Sequence, residues 1–225
     1  MNKNNFYFES NIDKLSSRIA EDILKISNYE IRLKKTFHIV LAGGTTFNKV
    51  YENLGNSNSS WNNWFVYMGD ERFVDISNTL RNDYLIKKKW LANSPIPKDN
   101  CHFIPYDSNP RKAVNMYEDT LKKVEKFDLV LLGMGEDGHT ASLFPNIEGH
   151  NQQKKSVVYI NNAPKEPTER ITMTYRSLNN SKNVFKVISG NKKKEVFEKL
   201  LNGHQFPISN VIGDTQSLYT SISVK

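Results

Sequence analysis

The amino-acid sequence predicts an α/β protein with a doubly wound, mostly parallel, Rossmann-like sheet that carries helices on both faces. Short apolar runs alternate with helix-like segments between residues 37 and 132, and such alternation favours parallel strands with right-handed crossovers. Residues 129–132 are continuously apolar, as in a strand buried on both faces. With 225 residues, 38% of them hydrophobic, we expect a single domain over residues 1–225.

The elements of the first half follow from this pattern. Strands are predicted at residues 37–41, 64–68, 101–104 and 127–132. Helices are predicted from about Thr46, from about Thr79 to Leu91, and over residues 111–126. Asn109 and Pro110 supply the cap and the first turn of the third helix.

The pattern changes after residue 139. Residues 157–160 and 171–175 are shorter predicted strands on either side of the proline-containing loop 163–167. We therefore expect a small antiparallel insertion after the loop that contains His139. Parallel character returns with a strand at 184–188, a helix at 192–201 and a last short strand at 211–212.

Composition excludes several classes of function. Lysine and arginine outnumber the acidic residues by 31 to 24, a net charge of +7, which favours anionic partners. The basic residues are spread along the chain without interleaved aromatics, so no nucleic-acid binding is expected. The chain shows neither a membrane-spanning stretch nor a secretory signal, so we expect a cytoplasmic protein without membrane association. Cys101 is the only cysteine, which excludes an internal disulfide and a cysteine-cluster metal site.

The most informative segment is the loop after the predicted strand 127–132. It carries Asp137 and His139 among Gly133, Gly135 and Gly138, and glycines let a backbone approach a ligand where a Cβ would clash. Ligands bind at the carboxyl ends of strands in open α/β sheets, and histidine exchanges protons near neutral pH. The segment therefore predicts an active site; the alternative is a glycine-rich loop with a surface histidine.

A second segment, Gly43-Gly44-Thr45-Thr46, leaves a buried strand and enters a helix. Consecutive N–H groups, the positive potential of a helix N-terminus and two hydroxyl groups suit a phosphate. The spacing matches neither a P-loop nor a dinucleotide fingerprint. A plain tight turn is the alternative interpretation.

Charged residues mark two further places. Asp70 and Arg72 directly follow the strand 64–68; in a pocket, Arg72 can neutralise an oxyanion while Asp70 orients it or a substrate hydroxyl. Arg170 opens a strand and Lys193 lies near the start of a helix. Together with the Gly43 loop these two cations would clamp a dianion. Taken singly, each charge is also explained as a solvated surface group.

These segments, in this order, resemble those of the 6-phosphogluconolactonases, within the wider sugar-phosphate group that includes glucosamine-6-phosphate deaminase. The resemblance covers almost the whole chain. It is carried by residues 41–46, Asp70-Glu71-Arg72 with Asn82, Gly-Met-Gly-Glu-Asp-Gly-His-Thr-Ala-Ser-Leu-Phe-Pro at 133–145, Arg-Ile-Thr at 170–172, and residues 190–193. The motif at 133–145 is highly specific, and the others gain weight from their order.

The resemblance implies a sugar-phosphate-binding enzyme that hydrolyses 6-phospho-D-glucono-1,5-lactone to 6-phosphogluconate in the oxidative pentose phosphate pathway. It implies His139 as the catalytic acid/base and Arg72 as an active-site cation. The implied phosphate site comprises Gly43, Gly44, Thr45, Thr46, Arg170 and Lys193. Asp70 and Asp137 are further catalytic candidates, and Asn82 and Gly138 are substrate-binding candidates. A lactone is an activated ester, so we expect neither a metal nor a cofactor.

The chain departs from the family pattern at four positions. Phe47 and Asp75 stand where proline is usual, Asn78 where histidine is frequent, and Arg81 where serine is usual. These changes concern mainly the loop after Arg72. They leave the acid/base and phosphate candidates intact, so we expect activity to be retained and affinity to be less predictable.

Two alternatives stay open. A sugar-phosphate isomerase or deaminase would use Asp70 and His139 for proton transfer and ring opening, but its pattern has Asn-Glu-Pro where residues 140–145 continue as in lactonases. A non-catalytic sugar-phosphate sensor or a nucleic-acid-binding protein would keep the fold without the chemistry, and the intact His139 and Arg72 argue against both. The sequence is compatible with a monomer and with a homodimer.

Overall fold

The computed structural model of the protein describes residues 3–147 and 154–224. The strands are β1 (Lys3–Phe8), β2 (Phe37–Leu41), β3 (Trp64–Met68), β4 (Asp70–Arg72), β5 (Cys101–His102), β6 (Phe127–Gly133), β7 (Val157–Ile160), β8 (Arg170–Met173), β9 (Ser181–Ile188) and β10 (Thr215–Thr220). The α-helices are α1 (Ile12–Lys34), α2 (Asn48–Gly55), α3 (Asn82–Lys89), α4 (Pro110–Leu121), α5 (Tyr175–Asn179) and α6 (Lys194–Leu201). No helix within the described ranges is long and apolar enough to cross a membrane.

The larger sheet contains seven parallel strands in the order β1-β10-β9-β6-β2-β3-β5. β6 is its central strand, and residues 127–132 are buried, as expected for an apolar strand covered on both faces. Helices flank the sheet, and α1 packs on β2, β6 and β10. The predicted α/β fold is confirmed. Because the strands are parallel, the carboxyl ends of β2, β6 and β9 lie at one edge.

A smaller antiparallel sheet in the order β4-β8-β7 adjoins this edge, which confirms the predicted antiparallel insertion. Gly69 joins the two sheets. Its main-chain N–H donates to the Leu41 carbonyl at 3.0 Å, and its carbonyl accepts from the Met173 N–H at 2.8 Å. The chain thus leaves β3 at Gly69 and enters β4, which places Asp70 and Arg72 beside the carboxyl edge of the larger sheet.

The predicted last strand at residues 211–212 is wrong. β10 spans Thr215–Thr220 and pairs with β1 and β9, whereas residues 211–212 follow a short 3₁₀ turn, Pro207–Asn210. Ile212 is exposed, and its main-chain N–H donates to Asn179 Oδ1 at 2.9 Å. The true strand escapes detection because most of its residues are polar, so its apolar signal is weak.

The helix α1 and the strand β1 are absent from the sequence prediction. α1 carries a helical signal, because Leu15, Ile19 and Ile23 recur every four residues and are fully buried. Its N-cap is Asn11, whose side chain accepts from the Lys14 N–H at 2.9 Å. Polar and charged residues fill most of the remaining positions, so the apolar stripe is narrow and easily overlooked.

A buried carboxylate lies at the opposite edge of the sheet, at the start of β6. Asp128 is fully buried and accepts from the His38 N–H at 2.9 Å. Its two oxygens pair with Lys34 Nζ at 2.8 Å and Lys182 Nζ at 3.1 Å. Asp128 therefore ties β2, β6, β9 and the end of α1 together.

We expect Asp128→Ala to lower the free energy of unfolding by about 1.5–3 kcal/mol, because a charge-assisted hydrogen bond is lost inside the protein. Lys34 and Lys182 are one-third exposed and can return to water, which limits the loss. Urea unfolding measures it. Asp128→Asn keeps an acceptor for the His38 N–H and should lose less. An unchanged free energy in Asp128→Ala would contradict the prediction.

Candidate active site

A cavity of about 240 Å³ lies where the carboxyl ends of β2 and β6 meet the smaller sheet. Its lining contains four cationic side chains and two carboxylates in addition to one histidine. The lining residues are Ala42, Gly43, Gly44, Thr45, Thr46, Asp70, Arg72, Asn82, Gly133, Met134, Gly135, Glu136, His139, Ala141, Lys165, Arg170 and Lys193. All predicted site residues except Asp137 and Gly138 are among them. The excess of positive charge favours an anionic ligand.

His139 is held from behind by Asp137. The imidazole Nδ1 contacts Asp137 Oδ1, and the same oxygen lies 3.6 Å from Lys165 Nζ. Nδ1 therefore carries the proton that it donates, which leaves Nε2 as the acceptor nitrogen. Burial alone would raise the pKa of Asp137, but its hydrogen bond to His139 and the charges of His139 and Lys165 hold that pKa below its ordinary value. Asp137 is therefore the ionised partner that orients His139.

Two glycines allow the loop to fold around His139. A Cβ at Gly135 would lie 2.1 Å from the His139 imidazole, so only glycine leaves room for this ring. Gly138 has a φ of +83°, and a Cβ there would lie 2.1 Å from the Phe206 ring. The Gly135 N–H also donates to the His139 carbonyl at 2.8 Å. Gly138 thus shapes the loop by packing closely against Phe206. It is not one of the residues that line the cavity.

Asp70 links the His139 loop to helix α3. It is 6% exposed, and its Oδ2 accepts from Ser142 Oγ at 2.7 Å. Its Oδ1 accepts from Asn82 Nδ2 at 3.3 Å. A Cβ at Gly43 would lie 2.0 Å from Asn82 Oδ1, so the absence of a side chain at Gly43 admits the Asn82 amide. These contacts favour an orienting role for Asp70.

Arg72 and Arg170 are paired across β4 and β8. Arg72 Nη1 donates to the Leu80 carbonyl, and no side chain or carbonyl of the described residues accepts from Arg72 Nε. Arg170 Nε donates to the Pro167 carbonyl at 2.6 Å, and its Nη2 donates to the carbonyl of Lys165 at 3.1 Å. Burial lowers the pKa of Arg170, and the charge of Arg72 adds to this effect. Arg170 therefore also holds the loop 165–167 in place.

The predicted phosphate loop and Lys193 meet across the end of β6. Gly44 has a φ of +91° and precedes the 3₁₀ turn Thr45–Phe47. Gly190 has a φ of +95° and precedes a similar turn, Asn191–Lys193. Lys193 Nζ donates to Thr46 Oγ1 at 3.5 Å. Burial lowers the pKa of Lys193, although Glu136 opposes this effect.

Lys165 and Glu136 line the cavity, and sequence reasoning missed both. Lys165 lies in the loop 163–167, which was recognised only as a connection between strands. Its ion pair with Asp137 spans segments that no local pattern joins. Glu136 lies inside the most specific motif, but a solvent-exposed acid beside Asp137 has no distinguishing spacing.

Metal binding was not expected from the sequence. Within residues 3–147 and 154–224, no group of three or more His, Cys, Asp or Glu side chains is placed to hold a metal ion. The absence of a metal requirement stays a prediction.

The fold and the cavity define an α/β protein with a cationic, histidine-containing pocket at the carboxyl edge of its sheet. The family model described as Glucosamine-6-phosphate isomerases/6-phosphogluconolactonase matches residues 10–220. The chain therefore belongs to this family, which confirms the resemblance predicted from the sequence.

Individual relatives agree with this assignment. The chain is 33% identical over 189 residues to the 6-phosphogluconolactonase of a Nostoc strain, covering 80% of this chain and 78% of the relative. It is 32% identical over 187 residues to the 6-phosphogluconolactonase of Thermotoga maritima, covering 83% and 84%. A crystal structure of the 6-phosphogluconolactonase from Thermotoga maritima superposes with a TM-score of 0.90 at 28% identity, covering 97% of this chain and 99% of that one.

The fold is also shared with another activity. A monomeric glucosamine-6-phosphate deaminase superposes with a TM-score of 0.80 at 23% identity. Fold alone therefore does not separate lactone hydrolysis from deamination, and the residues of the site carry that argument.

Proposed function

We propose that this protein hydrolyses 6-phospho-D-glucono-1,5-lactone to 6-phospho-D-gluconate, the second step of the oxidative pentose phosphate pathway. The family and the named lactonase relatives support the reaction. The observation that carries the proposal is the pairing of Asp137 with His139, whose side chain lines a cavity rich in cations. This arrangement offers a proton acceptor beside groups that bind an anionic substrate.

His139 acts as the general acid and base. Nε2 removes a proton from a water molecule as the water oxygen forms a bond to C1 of the lactone. The tetrahedral intermediate then collapses, the bond between C1 and the ring oxygen breaks, and the protonated His139 returns its proton to that oxygen. Such proton transfer contributes about 10²–10⁴-fold to the rate, and Asp137 keeps the imidazole in the required tautomer.

Arg72 stabilises the oxyanion that develops at C1. Its guanidinium gives one hydrogen bond to protein, from Nη1 to the Leu80 carbonyl, among the contacts within the described ranges. The remaining N–H groups keep the capacity to bind charge that appears during the reaction. The hydrogen bond between Asn82 and Asp70 fixes the orientation of these two side chains on the same wall of the cavity.

The 6-phosphate occupies the cationic end of the cavity. Main-chain N–H groups of residues 43–46 and the hydroxyls of Thr45 and Thr46 suit its oxygens. Lys193, which contacts Thr46, supplies a point charge, and Arg170 supplies a second cation. Binding the phosphate positions C1 near His139, so that the remote group contributes to orientation at the reacting carbon.

We expect Lys193→Met to raise KM for the phosphorylated lactone about 10- to 100-fold, because a charge-assisted contact of about 1.5–3 kcal/mol is lost. kcat should change much less, since Lys193 is assigned to the phosphate and not to the reacting carbon. Initial-rate kinetics measure both constants. Lys192→Met is the matched control, because Lys192 is exposed and does not line the cavity. An equal rise in KM for unphosphorylated gluconolactone would contradict the phosphate assignment.

The test of the proposed function is hydrolysis of freshly generated 6-phosphogluconolactone, corrected for spontaneous ring opening. Fast turnover supports the proposal. Ammonia release from glucosamine 6-phosphate without lactone turnover would favour the deaminase alternative. Binding of 6-phosphogluconate without either reaction would favour a sensor.

The cellular location stays a prediction. A cytoplasmic location fits the proposed reaction, but related proteins named as chloroplastic occur in Arabidopsis thaliana and rice. The fractionation of cells that produce the protein would test it.

A further inference from the structure

A buried cluster of charges lies behind the cavity and does not line it. Arg81, Glu71 and Asp83 have side chains that are only 1–2% exposed. Arg81 Nε pairs with Asp83 Oδ1 at 2.9 Å, and Arg81 Nη2 lies 3.9 Å from Glu71 Oε2. Buried ion pairs of this kind add little net stability, because desolvation offsets their attraction. We therefore interpret this buried cluster as a device that sets the local geometry, and not as a source of stability.

Glu71 connects two elements that carry active-site side chains. Its carboxylate accepts main-chain N–H groups from Arg72 at 2.7 Å, Asn82 at 2.6 Å and Asp83 at 2.8 Å. The last two belong to the first turn of α3, where backbone N–H groups lack helical acceptors. Glu71 thus joins the end of β4, with Arg72, to the start of α3, with Asn82.

Arg81 favours the ionised form of this carboxylate. Burial raises the pKa of Glu71 to about 7, and the charge of Arg81 and the N–H groups of Asn82 and Asp83 limit that rise. Only the ionised carboxylate accepts on both oxygens without presenting a proton to one of these donors. The cation and the hydrogen-bonded backbone therefore depend on each other.

Arg81 also anchors the loop 74–81. Its Nη2 donates to the Ile104 carbonyl at 2.8 Å, and its Nη1 donates to the Val74 carbonyl at 3.3 Å. The opposite end of the loop supplies the Leu80 carbonyl that accepts from Arg72 Nη1. The guanidinium of Arg72 therefore rests on a loop whose position Arg81 determines.

The other departures from the family pattern in this loop form part of the same structure. Asp75 Oδ1 accepts from the Ser77 N–H at 2.9 Å, and Asn78 Oδ1 accepts from the Leu80 N–H at 2.9 Å. The Asn78 carbonyl accepts from the Arg81 N–H at 3.1 Å. The three residues thus hold the loop 74–81 through hydrogen bonds within the loop and to its neighbours.

We propose that Arg81, acting with Glu71 and Asp83, is a positioning residue that holds Arg72 and Asn82 in their active geometry. The inference rests on the proposed function, because it takes Arg72 to act on the reacting carbonyl. The inference goes beyond the proposed function by assigning a part in the reaction to a buried side chain that does not line the cavity.

The test is Arg81→Lys combined with Arg72→Met in a double-mutant cycle. A lysine keeps the charge but cannot bind Asp83 and the carbonyls of Val74 and Ile104 together. We expect kcat to fall about 10- to 100-fold, because small displacements of catalytic groups are costly. In the Arg72→Met background the same change should lower kcat much less than in the wild type, because Arg72 can no longer be displaced and only the positioning of Asn82 is still lost. Equal losses in both backgrounds would overturn the proposal.

The controls separate positioning from loss of stability. Lys182→Met disturbs the buried cluster around Asp128 at the opposite edge, and should destabilise the protein while leaving kcat within about twofold of the wild type. If Arg81→Lys does not fold, Asp83→Asn removes one charge and keeps the main-chain N–H bound to Glu71, and it should lower kcat in the same background-dependent manner. A folded Arg81→Lys protein with wild-type kcat refutes the positioning role. An unchanged kcat in Arg72→Met refutes the proposed role of Arg72, and with it the proposed role of Arg81.

Discussion

His139→Ala should lower kcat for 6-phosphogluconolactone by about 10²–10⁴-fold, the usual contribution of a general acid/base. KM should change little, because the imidazole does not contribute to the proposed phosphate site. The cavity should persist, because Gly135 and Gly138 set the backbone conformation of the loop, and this conformation does not require the His139 ring. Progress curves corrected for spontaneous opening measure the loss, and circular dichroism confirms folding.

The matched control is Asp137→Asn. An asparagine keeps an acceptor toward Nδ1 but removes the negative charge that stabilises the imidazolium, so kcat should fall less than in His139→Ala. The pKa of Asp137 is held below its ordinary value, so this carboxylate stays ionised across about pH 5–9 and cannot produce an acid limb in the profile of kcat/KM. Wild-type kcat in a folded His139→Ala protein would contradict the acid/base assignment.

Arg72→Met should lower kcat by about 10²–10³-fold, the range found when one donor to an oxyanion is removed. Arg72 lines the cavity and has few protein partners. Its loss should therefore weaken transition-state binding more than it lowers the stability of the protein. Methionine keeps much of the aliphatic volume. The expected signature is a loss in kcat with KM for the phosphorylated lactone nearly unchanged.

Arg72→Lys distinguishes charge from geometry. A lysine supplies a point charge without the planar fork, so partial activity is expected. If Arg72→Met instead raises KM and spares kcat, Arg72 binds the phosphate, and the oxyanion is stabilised by other donors. The ratio of the two constants decides between these roles.

Much of the candidate site was predictable from short segments. The glycine-containing loop at residues 43–46 and the loop with His139 both follow strong apolar strands, and glycine in such places has a local physical meaning. The N-terminal helix α1 shows the opposite case, because its buried stripe is narrow and its composition is polar. The last strand was misplaced for a similar reason, since pairing with β1 and β9, and not its own composition, places Thr215–Thr220 in the sheet.

The sequence by itself determined the α/β class, the parallel sheet, the loop that bears His139, and the chain positions of Asp70, Arg72 and Lys193 beside strand or helix ends. Each depends on patterns within a few residues of the chain, such as an apolar run followed by glycine. Only the tertiary structure brought Ser142 to Asp70, residues 72 positions apart, placed Lys165 beside Asp137 and buried Arg81 behind the cavity. These contacts depend on the strand order, which is decided by how the whole chain buries its apolar surface and satisfies its buried polar groups.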